Sequence, residues 1–282
     1  MNGTITASAR SDVGAVRSVN EDSFVAREPA FLVADGMGGH ARGDKASQEA
    51  MRVVGERIAT GAVVTAADVL QAITEANRAV RALSASGDTG VSVAGTTISG
   101  VVQIGAGDGD ERRWMVVNVG DSRVYGWDGR TLTQLSVDHS AVQELVDAGA
   151  IEPEDAPLHP ERNIITRALG ASDDVDVDVW LLPVGGRQSF VICSDGLTKE
   201  LPDEHIARLL ASAGTGSADV ADTLVEAAVA AGGRDNITVI VVESQSGEPL
   251  GGADATVDRA DAARAISEDT TPRTGEQERA TR

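Results

Sequence analysis

Residues 46–83 read ASQEAMRVVGERIATGAVVTAADVLQAITEANRAVRAL, and this stretch decides the fold class. Ala46, Ala50, Val53, Val54 and Ile58 recur at helical spacing until Gly61 ends the pattern. A second helix begins at Thr65, which imitates a capping box with Asp68 three residues on. Val69, Leu70, Ile73, Ala76, Val80 and Leu83 share one face of it before Gly87 stops it. Two long helices in direct succession break the strict alternation of strand and helix that builds a doubly wound parallel sheet.

Outward from this pair the chain is rich in strands. Residues 31–34, 114–119, 190–193 and 237–242 are aliphatic, β-branched and bounded by Gly or Asp. Weaker strand patterns cover 96–104 and 175–182, and 105–111 reads as a polar linker. Residues 124–127 and 131–135 form a hairpin around Asp128-Gly129. Ser217 is the expected cap of a late helix carrying Val220, Leu224, Ala228 and Val229, closed by Gly232-Gly233. The order predicts an α+β fold with much antiparallel pairing. The folded domain is expected to span 1–245. Residues 246–282 hold only Leu250, Val257 and Ile266 as large aliphatics and read as a disordered tail.

Composition removes several function classes. The chain has 282 residues, 24 basic and 44 acidic, for a net charge of −20. Nucleic-acid binding, which depends on cations neutralising phosphates, is excluded, and so is a polybasic membrane anchor. Aromatics at 2% leave no stacking platform for bases. No apolar run approaches a membrane span, and no signal core opens the chain. The single cysteine, Cys193, fits a reducing compartment. A cytoplasmic monomer is expected.

Chemistry enters with the aspartates. FLVADG puts Asp35 directly after a buried strand, and FVICSDG repeats the pattern at Asp195. WMVVNVGDS places Asp121 after another strand, and GGRDNITVIVV sets Asp235 just before the last. Any one of these reads as Asp-Gly turn chemistry. Together they suit a shared oxygen-rich site for a hard cation such as Mg²⁺ or Mn²⁺, because a carboxylate leaving water needs compensation. Arg17, ahead of Glu21-Asp22, has the fork that grips phosphate or carboxylate, although alone it also reads as a surface ion-pair residue.

SDVGAVRSVNEDSF, VADGMGGHARGDKAS, AGTTISGVV, VNVGDSRVYGWDG, LSVDHSAVQELVDAGAI, HPERNIITRALG, FVICSDGL and GGRDNITVIVV resemble, in order, the motifs of the PPM (type 2C) metal-dependent Ser/Thr protein phosphatases in their compact bacterial form. The resemblance implies a central β-sandwich of two antiparallel sheets flanked by pairs of helices, a four-layer αββα arrangement. It implies two core Mn²⁺ or Mg²⁺ ions, with Asp35 bridging them and Gly36 adding its carbonyl. It makes Asp195 and Asp235 ligands of the second ion, and Glu21 and Asp22 holders of metal-bound water. It gives Arg17 the substrate phosphate. Asp121 with Asp195 would hold a third, weaker ion, and Asn163 would lend a flap carbonyl. Met37 stands where animal members carry a histidine proton donor, and His40 is the nearest histidine.

The implied reaction is hydrolysis of phosphoserine or phosphothreonine in proteins by a two-metal-activated water, opposing bacterial Ser/Thr kinases. The alternatives are a dedicated phosphatase of an anti-anti-sigma-type regulator and a non-enzymatic phosphoprotein-binding module. Cys193 reads as an inert core thiol. His139 and His159 flank the stretch 140–162, where His159 and Arg162 read as solvated loop residues with substrate contact the alternative, and His205 reads as part of a surface helix.

Overall fold

The computed structural model describes residues 3–38, 42–58, 63–85, 94–105, 112–214 and 218–246, the side chains of 84 and 85 excepted. The first half runs β1 (Thr4–Asp12), β2 (Asp22–Arg27), β3 (Ala30–Met37), α1 (Gly43–Ile58), α2 (Ala66–Ala85), β4 (Gly95–Thr96) and β5 (Ile98–Gly105). Next come β6 (Arg112–Val119), β7 (Arg123–Trp127), β8 (Leu132–Gln134), α3 (Ala141–Asp147) and a 3-10 turn at Pro153–Leu158. The last part holds β9 (Asp178–Pro183), β10 (Arg187–Cys193), α4 (Asp195–Glu200), α5 (Asp203–Ala213), α6 (Val220–Ala231) and β11 (Ile237–Gln245).

One sheet has the order β1-β11-β10-β7-β8 and the other β2-β3-β5-β6-β9, with β4 paired to β3. Every pairing is antiparallel. Because side chains alternate across a strand, each sheet sorts its residues between two faces. Leu32, Ala34, Val102, Met115 and Val117 cluster with Ala46, Ala50, Val54, Val69, Ile73 and Val80 of α1 and α2. Val191, Cys193, Val239 and Val241 cluster with Leu197, Ile206, Leu210, Leu224 and Ala228 of α4, α5 and α6.

Residues of the opposite parity, among them Phe31, Val33, Trp114, Val116, Phe190, Ile192, Ile240 and Val242, are buried outside both helix-facing clusters. They fill the space between the sheets. Trp114 lies 6.4 Å from Phe31 and 5.3 Å from Phe190, so one indole spans both sheets. The four layers αββα therefore stand as expected.

Local chemistry explains the elements. Thr65 and Asp68 make the capping box of α2: the Thr65 N–H donates to Asp68 Oδ2 at 3.0 Å, and the Asp68 N–H to Thr65 Oγ1 at 3.2 Å. Four expectations need correction. The strand read over 96–104 is broken at Thr97, whose N–H and hydroxyl both turn to the backbone of Asp35. The strand read over 175–182 starts only at Asp178, where pairing with Asn118 begins. β3 does not stop before Asp35 but runs through it to Met37, because β2 pairs with it as far as Asp35 and β4 beyond that point. The late helix starts at Val220 with Asp219, not Ser217, in the capping position. The expectations for His40 and the tail fall outside the described residues, as does most of the 105–111 linker.

Trp114→Ala is expected to lower stability by about 3–5 kcal/mol, since it removes the aromatic that both sheets share. Denaturant unfolding checks this, and a loss below about 1 kcal/mol, the size of an ordinary surface change, would contradict the inter-sheet packing.

Candidate metal centre

At one end of the sandwich the inward positions change from apolar to polar. Along β3 the series Phe31, Val33 ends in Asp35; beyond Phe190 and Ile192 of β10 comes Ser194; in β11, Val242 and Ile240 lead back to Thr238. Asp22 of β2 stands opposite Asp35 in the ladder. Its Oδ2 accepts hydrogen bonds from Ser194 Oγ at 2.8 Å and Thr238 Oγ1 at 2.7 Å, so a buried carboxylate ties the two sheets together.

Two glycines allow the close approach. A Cβ on Gly36 would lie 2.1 Å from the Gly43 carbonyl oxygen and 2.5 Å from that of Glu21. A Cβ on Gly196 would lie 1.9 Å from the Asn236 carbonyl oxygen. Only glycine lets the segments after Asp35 and Asp195 pack this tightly.

The site is held by backbone as much as by side chains. Asp35 donates its N–H to Thr97 Oγ1 at 2.9 Å, and its carbonyl accepts from Thr96 Oγ1 at 2.9 Å. Asn236 holds the N-terminal loop: its Nδ2 donates to the carbonyls of Val13 and Val19 at 3.0 and 2.9 Å, and its Oδ1 accepts from the Glu21 N–H at 2.9 Å. That loop carries Arg17, whose Nε lies 2.9 Å from Asp235 Oδ1 and whose NH2 lies 3.1 Å from Oδ2. Arg17 is half-exposed at the edge of the cluster.

Charge dominates the electrostatics. Burial pushes the Asp22 carboxyl up to about 7, against the hydrogen bonds from Thr238 and Ser194. Burial, then the charges of Asp195 and Asp138, push Asp121 up to about 7. Asp35 lies well above the usual carboxylate range, through burial and then the charges of Asp22, Asp195 and Asp121. Asp195 is raised by burial against the pull of Lys199. Glu21 is raised by burial against the pull of Arg17.

The structure thus places Asp22, Asp35, Asp121 and Asp235 each within electrostatic reach of Asp195, and Glu21 within reach of Asp235. Gly36 lies against Glu21, its N–H donating to the Glu21 carbonyl at 3.1 Å. Asn163 sits exposed in a turn ahead of the bridge between Ile165 and Ser140.

A divalent ion needs oxygen donors that no protein group already uses. Asp22 Oδ1, Asp121 Oδ1 and Asp195 Oδ1 are buried and without a hydrogen-bond partner in the structure. These orphaned oxygens fit a hard cation. Among the described residues no group of three or more His, Cys, Asp or Glu side chains is arranged to hold a metal ion as it stands. Lys199 Nζ instead contacts both Asp195 Oδ2 and Asp235 Oδ2.

Five contributors escape a motif reading: Lys199, Ser194, Thr238, Asn236 and His139. Asn236 and Ser194 adjoin the key aspartates in sequence, a signal that was available. His139 brackets Gly120, the residue before Asp121. Its N–H donates to the Gly120 carbonyl at 2.9 Å, and its Nδ1 accepts from the Gly120 N–H at 3.0 Å. Its Nε2 faces Asp178 Oδ2 at 3.2 Å, and its carbonyl accepts from the Thr166 N–H at 2.9 Å. One residue therefore holds both the Asp121 turn, through its side chain and its N–H, and the base of the segment 140–166, through its carbonyl. His159 accepts locally from the Glu161 N–H at 3.2 Å, as a loop residue would.

His139→Leu is expected to cost about 1–3 kcal/mol in denaturant unfolding by orphaning the buried Gly120 N–H, with His139→Asn recovering part of the loss. Equal stability of wild type and the Leu variant would deny the bracket. The raised carboxyls set a pH dependence for the metal-free protein. In the folded state they hold protons that the unfolded chain releases near 4, so they favour the fold fully below that value. That contribution is lost as pH rises through about 7. The chelator-treated protein is therefore expected to melt lower at pH 8 than at pH 5, and Mn²⁺ to restore the loss at pH 8. A melting temperature that rises over this window without metal would contradict the cluster.

Residues 15–230 match the family model described as Protein phosphatase 2C. The serine/threonine phosphatase stp of Listeria monocytogenes is 37% identical over 244 residues, covering 83% of this chain and 94% of that protein. The crystal structure of the Mycobacterium tuberculosis serine/threonine phosphatase PstP/Ppp superposes with a TM-score of 0.75 at 35% identity, covering 86% of this chain and 99% of that one. The PstP catalytic domain in complex with two manganese ions gives 0.74 at 34% identity, covering 87% of this chain and 100% of that one. The chain belongs to the protein phosphatase 2C family.

Proposed function

We propose that this protein is a metal-dependent protein serine/threonine phosphatase that hydrolyses phosphoserine and phosphothreonine monoesters and opposes Ser/Thr kinases. The observation that carries this reading is the set of orphaned, buried carboxylate oxygens on Asp22, Asp121 and Asp195 at one end of the sandwich. Named relatives with this activity, and one such structure holding two manganese ions, support it.

Asp35, Asp195 and Asp235 would hold two Mn²⁺ or Mg²⁺ ions, with the Gly36 carbonyl, and Asp121 with Asp195 a third. Bound, such ions supply a nucleophilic water near neutral pH and offset charge on the phosphoryl oxygens. The chain's own residues do the rest. Arg17 already meets Asp235 with both arms of its fork, and two phosphoryl oxygens present the same spacing of acceptors. Turning from Asp235 to the substrate, it would orient the phosphate and balance charge as the bond to the leaving oxygen breaks. Asp22, Ser194 and Thr238 would keep the two sheets, and hence the ligands they carry, at fixed separation.

Attack by a cysteine has no support. Cys193 is buried on the helix-facing side of β10, and burial pushes its thiol up to about 12. A free, buried thiol is at home in the cytoplasm, which we assign as the site of action, with the protein a monomer acting on phosphoproteins in signalling. Among the described residues no helix is long and apolar enough to cross a membrane.

The experiment is hydrolysis of a phosphothreonine peptide with Mn²⁺, with and without chelator. Asp35→Asn and Asp195→Asn are each expected to lower kcat by about 10² or more, and Arg17→Ala to lower kcat/KM by a comparable factor. Wild-type turnover in either Asn variant would remove that residue from the centre. Turnover insensitive to chelator would remove the metal reading.

A further inference from the structure

We propose that Lys199 is a tethered counter-ion of the metal-free enzyme: its ammonium bridges Asp195 and Asp235 and must withdraw before a divalent ion binds between them. The inference rests on the assignment of Asp195 and Asp235 as ligands of the second ion.

Lys199 lies four residues after Asp195 on α4, one helical turn away, so its side chain returns along the same face. Nζ contacts Asp195 Oδ2 and lies 3.2 Å from Asp235 Oδ2, although Asp235 is 36 residues further along the chain. An i,i+4 pair on a helix surface is commonplace and weak. This one differs because the Asp195 side chain is only 13% exposed and a second carboxylate converges on the same nitrogen. Burial alone would discharge an amine; here Asp195, Asp235 and Asp35 more than offset it and hold the group charged.

A bound divalent ion and the ammonium would compete for the same oxygens. The two differ in charge and in reach: the ion brings a double charge, whereas the lysine brings one charge on a flexible stem. Its side chain is 36% exposed, so the stem has a path to solvent and the amine can leave without rearranging α4. Arg17 is also paired with Asp235, but it comes from a loop and has a phosphate to meet. Lys199 has no such second partner. It lowers the mutual repulsion of the acids while no metal is present, and it weakens the first grip on the ion by an equivalent amount.

The test uses the full chain stripped of metal, as wild type, Lys199→Ala, Lys199→Gln and Lys199→Arg. Mn²⁺ affinity is read by calorimetry and thermal unfolding is followed without metal. Both neutral variants are expected to bind Mn²⁺ about tenfold more tightly. Both are also expected to melt about 2–4 °C lower without metal. Lys199→Arg, which keeps the charge, should stay near wild type in both. Mn²⁺ affinity that is unchanged or weaker in the Ala and Gln variants would overturn the proposal. Absence of Mn²⁺ binding in all four proteins, wild type included, would instead remove the ligand assignment beneath it.

Discussion

Carboxylates crowded where little water reaches them repel one another, and this repulsion shapes the end of the sandwich. Each group loses hydration and feels its neighbours, so Asp22, Asp35, Asp121 and Asp195 all stand above their ordinary range. The protein offsets the strain in three ways. Hydroxyls of Ser194 and Thr238 donate to Asp22. Cations, Lys199 and Arg17, approach Asp195 and Asp235 from the rim. One oxygen each of Asp22, Asp121 and Asp195 is left without a donor, which a hard cation would satisfy. A chain at −20 overall has no general attraction for a phosphorylated partner, so affinity has to be local to this end.

Much of this was legible in the linear sequence because burial and turn chemistry leave marks there. Phe31 to Ala34 and Phe190 to Cys193 are apolar enough to announce strands, and the Asp that follows each is conspicuous against them. The helix pair was equally clear, down to the reciprocal cap of Thr65 and Asp68. β1 and β2 were not. TITASARSD offers one large aliphatic, Ile5, because an edge strand is held by its ladder to β11 and not by a core face. β2 likewise starts at a carboxylate, Asp22, whose hydrogen-bond donors Ser194 and Thr238 lie far away in sequence.

The contributors that escaped the motif reading share one property: their role lies in contacts made across long sequence separations. Nothing in LSVDHS says that His139 will clamp Gly120, since both halves of that clamp arise when the turn after β6 folds back. Nothing in DGLTKE says that Lys199 will meet Asp235. The break at Thr97 is a related case. Its β-branched neighbours favour one long strand, but pairing with the backbone of Asp35 diverts it, and tertiary hydrogen bonding overrides local propensity.

The ladder between β1 and β11 carries a consequence for how the molecule comes into being. Thr4 pairs with Gln245 and Asp12 with Ile237, while Asn236 holds the loop that carries Arg17. A nascent chain still inside the ribosome at residue 236 therefore has an arginine with nothing to anchor it and a first strand with no neighbour. The first strand and the loop that carries Arg17 thus gain their partners only after the last strand has been made.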